Sequence, residues 1–252
     1  LGTYGSGRTA GGGQDYNTQL LLNFDRGGYS DIEDSSNTGS NVGHKVVTEG
    51  NSIIKASPFG DGKPAFYFSG ANNNHLNVPF HADFNFGDIS GTTNDFTVEF
   101  WVSISTFADE AQGFGRRMLS TRPGSFTKGW EFRTTASNNT INVNFHASTQ
   151  ILLDIPNNTT NTWMHLAVVR QGNVYTVYKD GVARSTVTSS NNITTTDLPL
   201  KVGTLTTTQG EFQGYIDEIR IVKGLAVYTG NFTVPTSRLS TTWAANPYGG
   251  SN

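Results

Sequence analysis

"FTVEFWVSI", residues 96–104, decides the fold. Phe96, Val98, Phe100, Val102 and Ile104 alternate with Thr97, Glu99, Trp101 and Ser103. Successive side chains of a strand point to opposite faces, so this is the period-two pattern of a strand with one apolar face. "INVNFHAS" (141–148) repeats it, with Ile141, Val143, Phe145 and Ala147 on one side and Asn142, Asn144, His146 and Ser148 on the other. "WMHLAVVR" (163–170) is apolar on both faces and rich in β-branched residues, which predicts a strand in the middle of a sheet. "VYTVYKDGVARSTVT" (174–188) predicts a hairpin turning at Asp180-Gly181. Asn138-Asn139 and Asp61-Gly62 predict further turns. Strands at this spacing, with no helical period between them, predict an all-β chain of two packed antiparallel sheets.

The bulk composition agrees and narrows the partners. Twenty-nine glycines and abundant Asn, Thr and Ser supply the turns that many short strands require. Only 15% of the 252 residues are charged and the net charge is -3, so there is no basic field for phosphates and nucleic acid is excluded as a partner. The absence of cysteine rules out disulfides, thiolate metal sites and a cysteine nucleophile. No apolar stretch approaches the roughly 20 residues of a membrane helix, so no membrane insertion is predicted. The start at Leu1, without a charged segment before an apolar one, is read as a removed leader or a fragment. Residues 1–18 read as a Gly-rich arm, 19–239 as one sandwich domain, and 240–252 as a tail carrying Trp243 and Tyr248.

"DFTVEFWV" (95–102), "NTWMHLAVVRQGNVYTVYKDGV" (161–182), "LKVGT" (200–204) and "FQGYIDEIRIVKGLAVYTGNFTVPTS" (212–237) occur in this order. They are preceded by "LLLNFDR" (20–26) and "AFYFSGANNNHLNVP" (65–79). The ordered set resembles the laminin G-like branch of the concanavalin A-like lectin/glucanase superfamily. The resemblance implies a two-sheet antiparallel jelly-roll sandwich and a role in glycan binding, adhesion or assembly. The segment "RIVKGLAVYTGNFTVP" resembles modules of tailed-phage virion proteins and bacterial surface proteins, which implies a virion-surface or extracellular location.

Asp217 and Glu218, adjacent in "GYIDEIRI" (214–221), are the first candidates for chemistry. Strict alternation places them on opposite faces: Asp217 beside Tyr215, Ile219 and Ile221, and Glu218 beside Arg220. A glycosidase needs two carboxyls facing one cleft, about 5 to 9.5 Å apart. No strand carries the alternating acids of the family's hydrolases: Glu99 is alone in its strand, and Asp31-Ile32-Glu33 reads as loop. Polysaccharide lyase chemistry lacks the Q-x-H element that relatives with a "VYKDGV"-like strand use. The chain is therefore read as a non-catalytic, lectin-like module of a phage tail fibre or capsid appendage. A carbohydrate-active enzyme or its binding module, and a bacterial adhesin, are the alternatives.

Asp217 is the acid predicted to be buried, and a buried carboxylate must be hydrogen-bonded, paired or bound to metal. The resemblance implies a structural calcium near this strand, with Asp25 and Asp34 as further oxygen donors; hydrogen bonding to a turn is the alternative. The five histidines show no metal-ligand spacing, and His165 reads as a hydrogen-bonded core residue. Asn142, Asn144 and His146 form either a sugar-binding polar face or a solvated one. Trp101, Trp130 and Trp163 sit in strands and predict core packing, whereas the loop aromatics Tyr29, Phe114 and Phe126, with Trp243, are candidates for stacking on sugar. The partners so implied are surface glycans or other virion proteins, engaged by a homo-oligomer.

Overall fold

The computed structural model describes residues 17–24, 32–36, 43–50, 53–71, 73–87, 93–107, 115–122, 127–206 and 209–240. In chain order the strands are β1 (Thr18–Leu22), β2 (Val47–Glu49), β3 (Ile53–Ala56), β4 (Pro64–Ser69), β5 (His75–Val78), β6 (Phe96–Ile104), β7 (Arg117–Ser120) and β8 (Trp130–Thr135). They continue with β9 (Thr140–Phe145), β10 (Ile151–Ile155), β11 (Trp163–Gln171), β12 (Val174–Lys179), β13 (Val182–Thr188), β14 (Leu200–Val202) and β15 (Gln213–Lys223). Two 3-10 turns, Ala82–Phe84 and Ser137–Asn139, are the sole helical elements among the described residues.

The strands form two antiparallel sheets, as the alternation predicts. One runs β13-β12-β11-β6-β15-β4-β3, with β1 also paired to β15; the other runs β10-β9-β8-β7-β14-β5-β2. Strand β11 lies between β12 and β6, as its two apolar faces require. The Asp180-Gly181 turn has φ of 51° and 75°, the left-handed pair that a two-residue hairpin of matching twist demands.

The apolar residues of β6, Phe96, Val98, Phe100, Val102 and Ile104, all enter the core between the sheets. There they meet Trp130, Phe132 and Phe145 of the opposing sheet, each ring contributing roughly 1.5–3 kcal/mol by leaving water. Trp130 satisfies its indole N–H on the Phe84 carbonyl at 2.8 Å, so its burial leaves no orphaned donor. Gly203 of "LKVGT" is held by this packing: at φ +88° its α-carbon faces Phe68 so closely that an added β-carbon would lie 2.2 Å from the ring.

Strand β15 organises the first sheet. Along one edge it pairs with β6 throughout; along the other it pairs with β4 over Gln213–Ile216 and with β1 over Ile219–Val222. At the changeover the register slips between Asp217 and Arg220. Asp217 faces Trp101 and Arg220 faces Glu99, so β15 spends one residue more than β6, and Glu218 takes φ +54°.

Candidate functional site

The bulge corrects the strict alternation expected for β15. Before it, Tyr215 and Asp217 point away from the core; after it, Glu218 and Arg220 do so, while Ile219 and Ile221 enter the core. Asp217 and Glu218 therefore share one face. They also share one partner, since a single nitrogen of Arg238 lies 3.2 Å from Asp217 Oδ1 and 3.0 Å from Glu218 Oε1. The Leu239 amide and the Asn23 side-chain amide donate to Glu218 as well, and the Glu218 amide donates to Asp217 Oδ1 at 3.0 Å.

Both acids are closed off, at 0% and 1% exposure, so no substrate reaches them. The cover is the segment following β15, which crosses the outer face of the sheet as a strap. Val227 donates its amide to Thr97 Oγ1, Tyr228 stacks on Phe232 at 3.6 Å, and the pair lies against Ala167, Val169 and Tyr178. Phe232 donates its amide to the Gly181 carbonyl of the hairpin turn.

Beneath the strap lies a third acid, Glu99, fully buried. It accepts from Arg220 Nε at 2.6 Å and from the Tyr228 hydroxyl at 2.7 Å, and His165 Nε2 lies 3.1 Å away. Burial alone would raise its pKa; Arg220, His165 and Tyr228 outweigh that and hold it at about 2. His165 is buried and hydrogen-bonded, though it packs beneath the strap and not between the sheets.

The Asp217–Glu218 pair behaves oppositely. Burial is the largest influence and pushes Asp217 up to about 8 and Glu218 to about 7, with Arg238 opposing. Unfolded, both titrate near 4, so their contribution to stability is complete below about pH 4 and is lost as pH rises to about 8. His44, raised to about 9, acts in the same direction above its unfolded value of 6.5. Asp217→Asn keeps the shape and removes one of these titrations. Its melting temperature should fall less steeply between pH 5 and 8 than that of the parent chain; parallel slopes would refute the assignment.

Calcium does not fit the described donors here, because a guanidinium already bridges the two carboxylates. Asp34 is elsewhere, accepting from the backbone amides of Leu21, Ser36 and His44. Asp25 lies outside the described residues, as do Tyr29, Phe114, Phe126 and Trp243.

Asn142, Asn144 and His146 do share one face of the other sheet, and it is buried. Asn142 donates to Asp154, while Asn144 donates to Glu131 at 3.4 Å and accepts from Gln150 at 2.7 Å. Glu131 is in turn held by Arg117 at 3.1 Å and Arg122 at 2.8 Å. Burial would raise its pKa, but these two guanidinium groups and Arg133 lower it. The amides expected to meet sugar hydroxyls are thus engaged within a polar network.

Among the described residues, the strap packs over Ala167, Val169 and Tyr178, and a second group of aromatics lies at the other end of the first sheet. Tyr67, Tyr215 and Trp163, each half-buried, lie in one row across β4, β15, β6 and β11, where Tyr215 pairs with Tyr67 and with Ser103, and Ser103 with Trp163. The Tyr67 and Tyr215 rings are 4.8 Å apart, and those of Tyr215 and Trp163 6.0 Å. Trp101, packed on Phe59 at 5.6 Å, closes the strap side of the row. On the far side the next outward positions, Ser69, Gln213 and Ser105, are polar and half-buried. Core packing thus holds for Trp130 alone of the three strand tryptophans, because Trp101 and Trp163 occupy the outward parity of their strands. The outward parity of Tyr67, Tyr215 and Trp163 is visible in the sequence; their alignment depends on register, which is not.

Comparison with known proteins places this geometry. The concanavalin A-like lectin/glucanases superfamily profile matches residues 80–225. No curated protein shows significant sequence similarity to the chain. Solved structures of similar fold include the botulinum neurotoxin serotype G binding domain, at 14% identity and TM-score 0.63, covering 84% of this chain and 49% of that one. The binding domain of Paraclostridial Mosquitocidal Protein 1 matches at 14% identity and TM-score 0.58, covering 87% and 50%. This chain thus spans about half the length of both toxin domains. Domain 4 of AbnA, an extracellular GH43 arabinanase from Geobacillus stearothermophilus, in complex with arabinotriose, matches at 17% identity and TM-score 0.53, covering 84% and 94%. With a profile matched over more than half its length and two antiparallel sheets in the corresponding arrangement, the chain belongs to the concanavalin A-like lectin/glucanases superfamily.

Proposed function

We propose that this chain is a non-catalytic glycan-binding module whose sugar-stacking surface is the row Tyr67–Tyr215–Trp163. The row carries the proposal: three neighbouring rings on a rigid sheet present apolar area without loop ordering, and Ser69, Gln213 and Ser105 place hydroxyls and an amide along one rim. The saccharide held by the arabinanase domain supports this ligand class. Closure of the three acids beneath the strap argues against hydrolysis at that face.

The setting we propose is a virion surface, as a tail-fibre or capsid appendage, with a bacterial adhesin as the other setting. The "RIVKGLAVYTGNFTVP" resemblance supports both. The sandwich of residues 19–239 would be tethered by the arm 1–18, and a homo-oligomer would multiply weak single-site contacts into useful avidity.

A glycan array probed with the multivalent chain identifies the sugar, and calorimetry then gives its affinity. Aromatic anchors of this kind contribute roughly 2 kcal/mol or more, so Tyr215→Ala combined with Trp163→Ala should weaken binding by about 30-fold or more. Both rings are partly buried, so the variants are compared with the parent by circular dichroism to show that the fold is kept. Unchanged sugar affinity in the double variant would place the site elsewhere on the molecule.

A further inference from the structure

A cluster outside the aromatic row carries a separate chemistry. His44 precedes β2, and His81 and Asp83 flank the start of the 3-10 turn after β5. A nitrogen of each imidazole and an oxygen of Asp83 lie within 4.8 Å of one another. His44 Nε2 is 3.2 Å and His81 Nδ1 is 2.9 Å from the same oxygen, Asp83 Oδ2. Zinc–ligand bonds of about 2.0–2.1 Å give a tetrahedral edge of about 3.3 Å, so two of the three edges already match to within a few tenths of an ångström. The third edge closes by movement of His81, the most exposed member at 52%.

The outer contacts are those of a prepared ligand set. His44 Nδ1 lies 2.7 Å from Asp34 Oδ2, which orients the ring with Nε2 toward Asp83, and a metal bound at Nε2 would displace its proton. Asp34 is itself fixed by three backbone amides, from Leu21, Ser36 and His44. Beneath, the His44 ring packs 4.8 Å from the buried Phe84 ring. His81 Nδ1 also faces the Asp83 amide at 3.4 Å, so this nitrogen meets a donor and a carboxylate oxygen together. The neighbouring cation, Lys223, is turned onto the Ala82 carbonyl at 2.8 Å. The three facing atoms, two imidazole nitrogens and one carboxylate oxygen, belong to side chains that all keep some exposure to solvent.

We propose that His44, His81 and Asp83 bind a divalent transition-metal ion of the zinc class, with Asp34 as the positioning partner of His44 and water in the remaining place. Two imidazoles with one carboxylate suit zinc; calcium prefers an all-oxygen set. The site lies at the end of β15 away from Tyr215, eight residues or roughly 26 Å along the strand, so it does not depend on the glycan reading.

The test uses the full chain without a histidine tag, stripped with a chelator and titrated with zinc chloride by calorimetry and with cobalt chloride by visible absorption. One zinc per chain is expected, with the visible bands of tetrahedral cobalt and no heat from calcium chloride. His81→Ala and His44→Ala should each abolish binding, and Asp34→Asn should weaken it by about 10- to 100-fold at unchanged stoichiometry. Melting curves of the metal-free variants guard against loss of fold; His81→Ala, at an exposed position, should melt with the parent. Zinc retained equally by the His44 and His81 variants, or a folded parent chain that takes up none, overturns the proposal and leaves a metal-free ion-pair clamp.

Discussion

Replacing Arg238 by Met should lower the melting temperature by roughly 6–20 °C above about pH 8, where Asp217 and Glu218 are both ionised. The arginine is the shared partner of Asp217 and Glu218 and also donates to the Asn23 and Pro64 carbonyls and to Asp61. Removing one member of a buried ionic cluster strands the others, at about 3–5 kcal/mol, and in a domain of this size each kcal/mol moves the midpoint by about 2–4 °C. The deficit should shrink as pH is lowered toward 5, because both acids then hold protons and no longer need a cation. A deficit independent of pH would mean that the arginine acts through its packing on Phe59 instead.

The second large effect is expected at Glu99. Glu99→Ala leaves Arg220 without this counter-ion and removes the acceptor of Tyr228 and the partner of His165, again at about 3–5 kcal/mol. Its titration has the opposite sign to that of Asp217: with the folded pKa lowered to about 2, its stabilisation is present above about pH 4.5 and is lost as pH falls toward 2. An apolar pair of similar volume, Glu99→Met with Arg220→Met, should recover most of the loss, since an ion pair replaced whole strands neither charge. Denaturant midpoints of the single and double variants decide this; a double variant as unstable as the sum of both singles would show the two residues to be independent.

The two sheets, the interior position of β11, the hairpin at Asp180-Gly181 and the inward residues of β6 were legible, because each follows from local periodicity or turn chemistry. Other features come from relations between distant segments. Nothing in "YIDEIRI" announces a bulge, since the left-handed residue is Glu218 and not a glycine. Strict alternation puts Asp217 on one face with Tyr215, Ile219 and Ile221 and holds it apart from Glu218; the bulge leaves Tyr215 beside it, sends both isoleucines into the core and joins it to Glu218. Likewise, Glu99 looks like an ordinary outward residue until Tyr228, 129 positions later, is folded over it. His44 and the pair His81 and Asp83 carry no ligand spacing because the third donor arrives from a separate loop.

The order in which β15 finds its partners has a consequence for synthesis on the ribosome. The strand spans Gln213–Lys223 of 252 residues, yet it fills the gap between β6 and the strands β4 and β1. Until it leaves the exit tunnel, β6 presents an unpaired apolar edge to whatever else is nearby. β1, which precedes every other described strand, waits until β15 is made for the partner it pairs with. Nascent chains stalled before position 213 should thus be captured by chaperones, and those released beyond Leu239 should not.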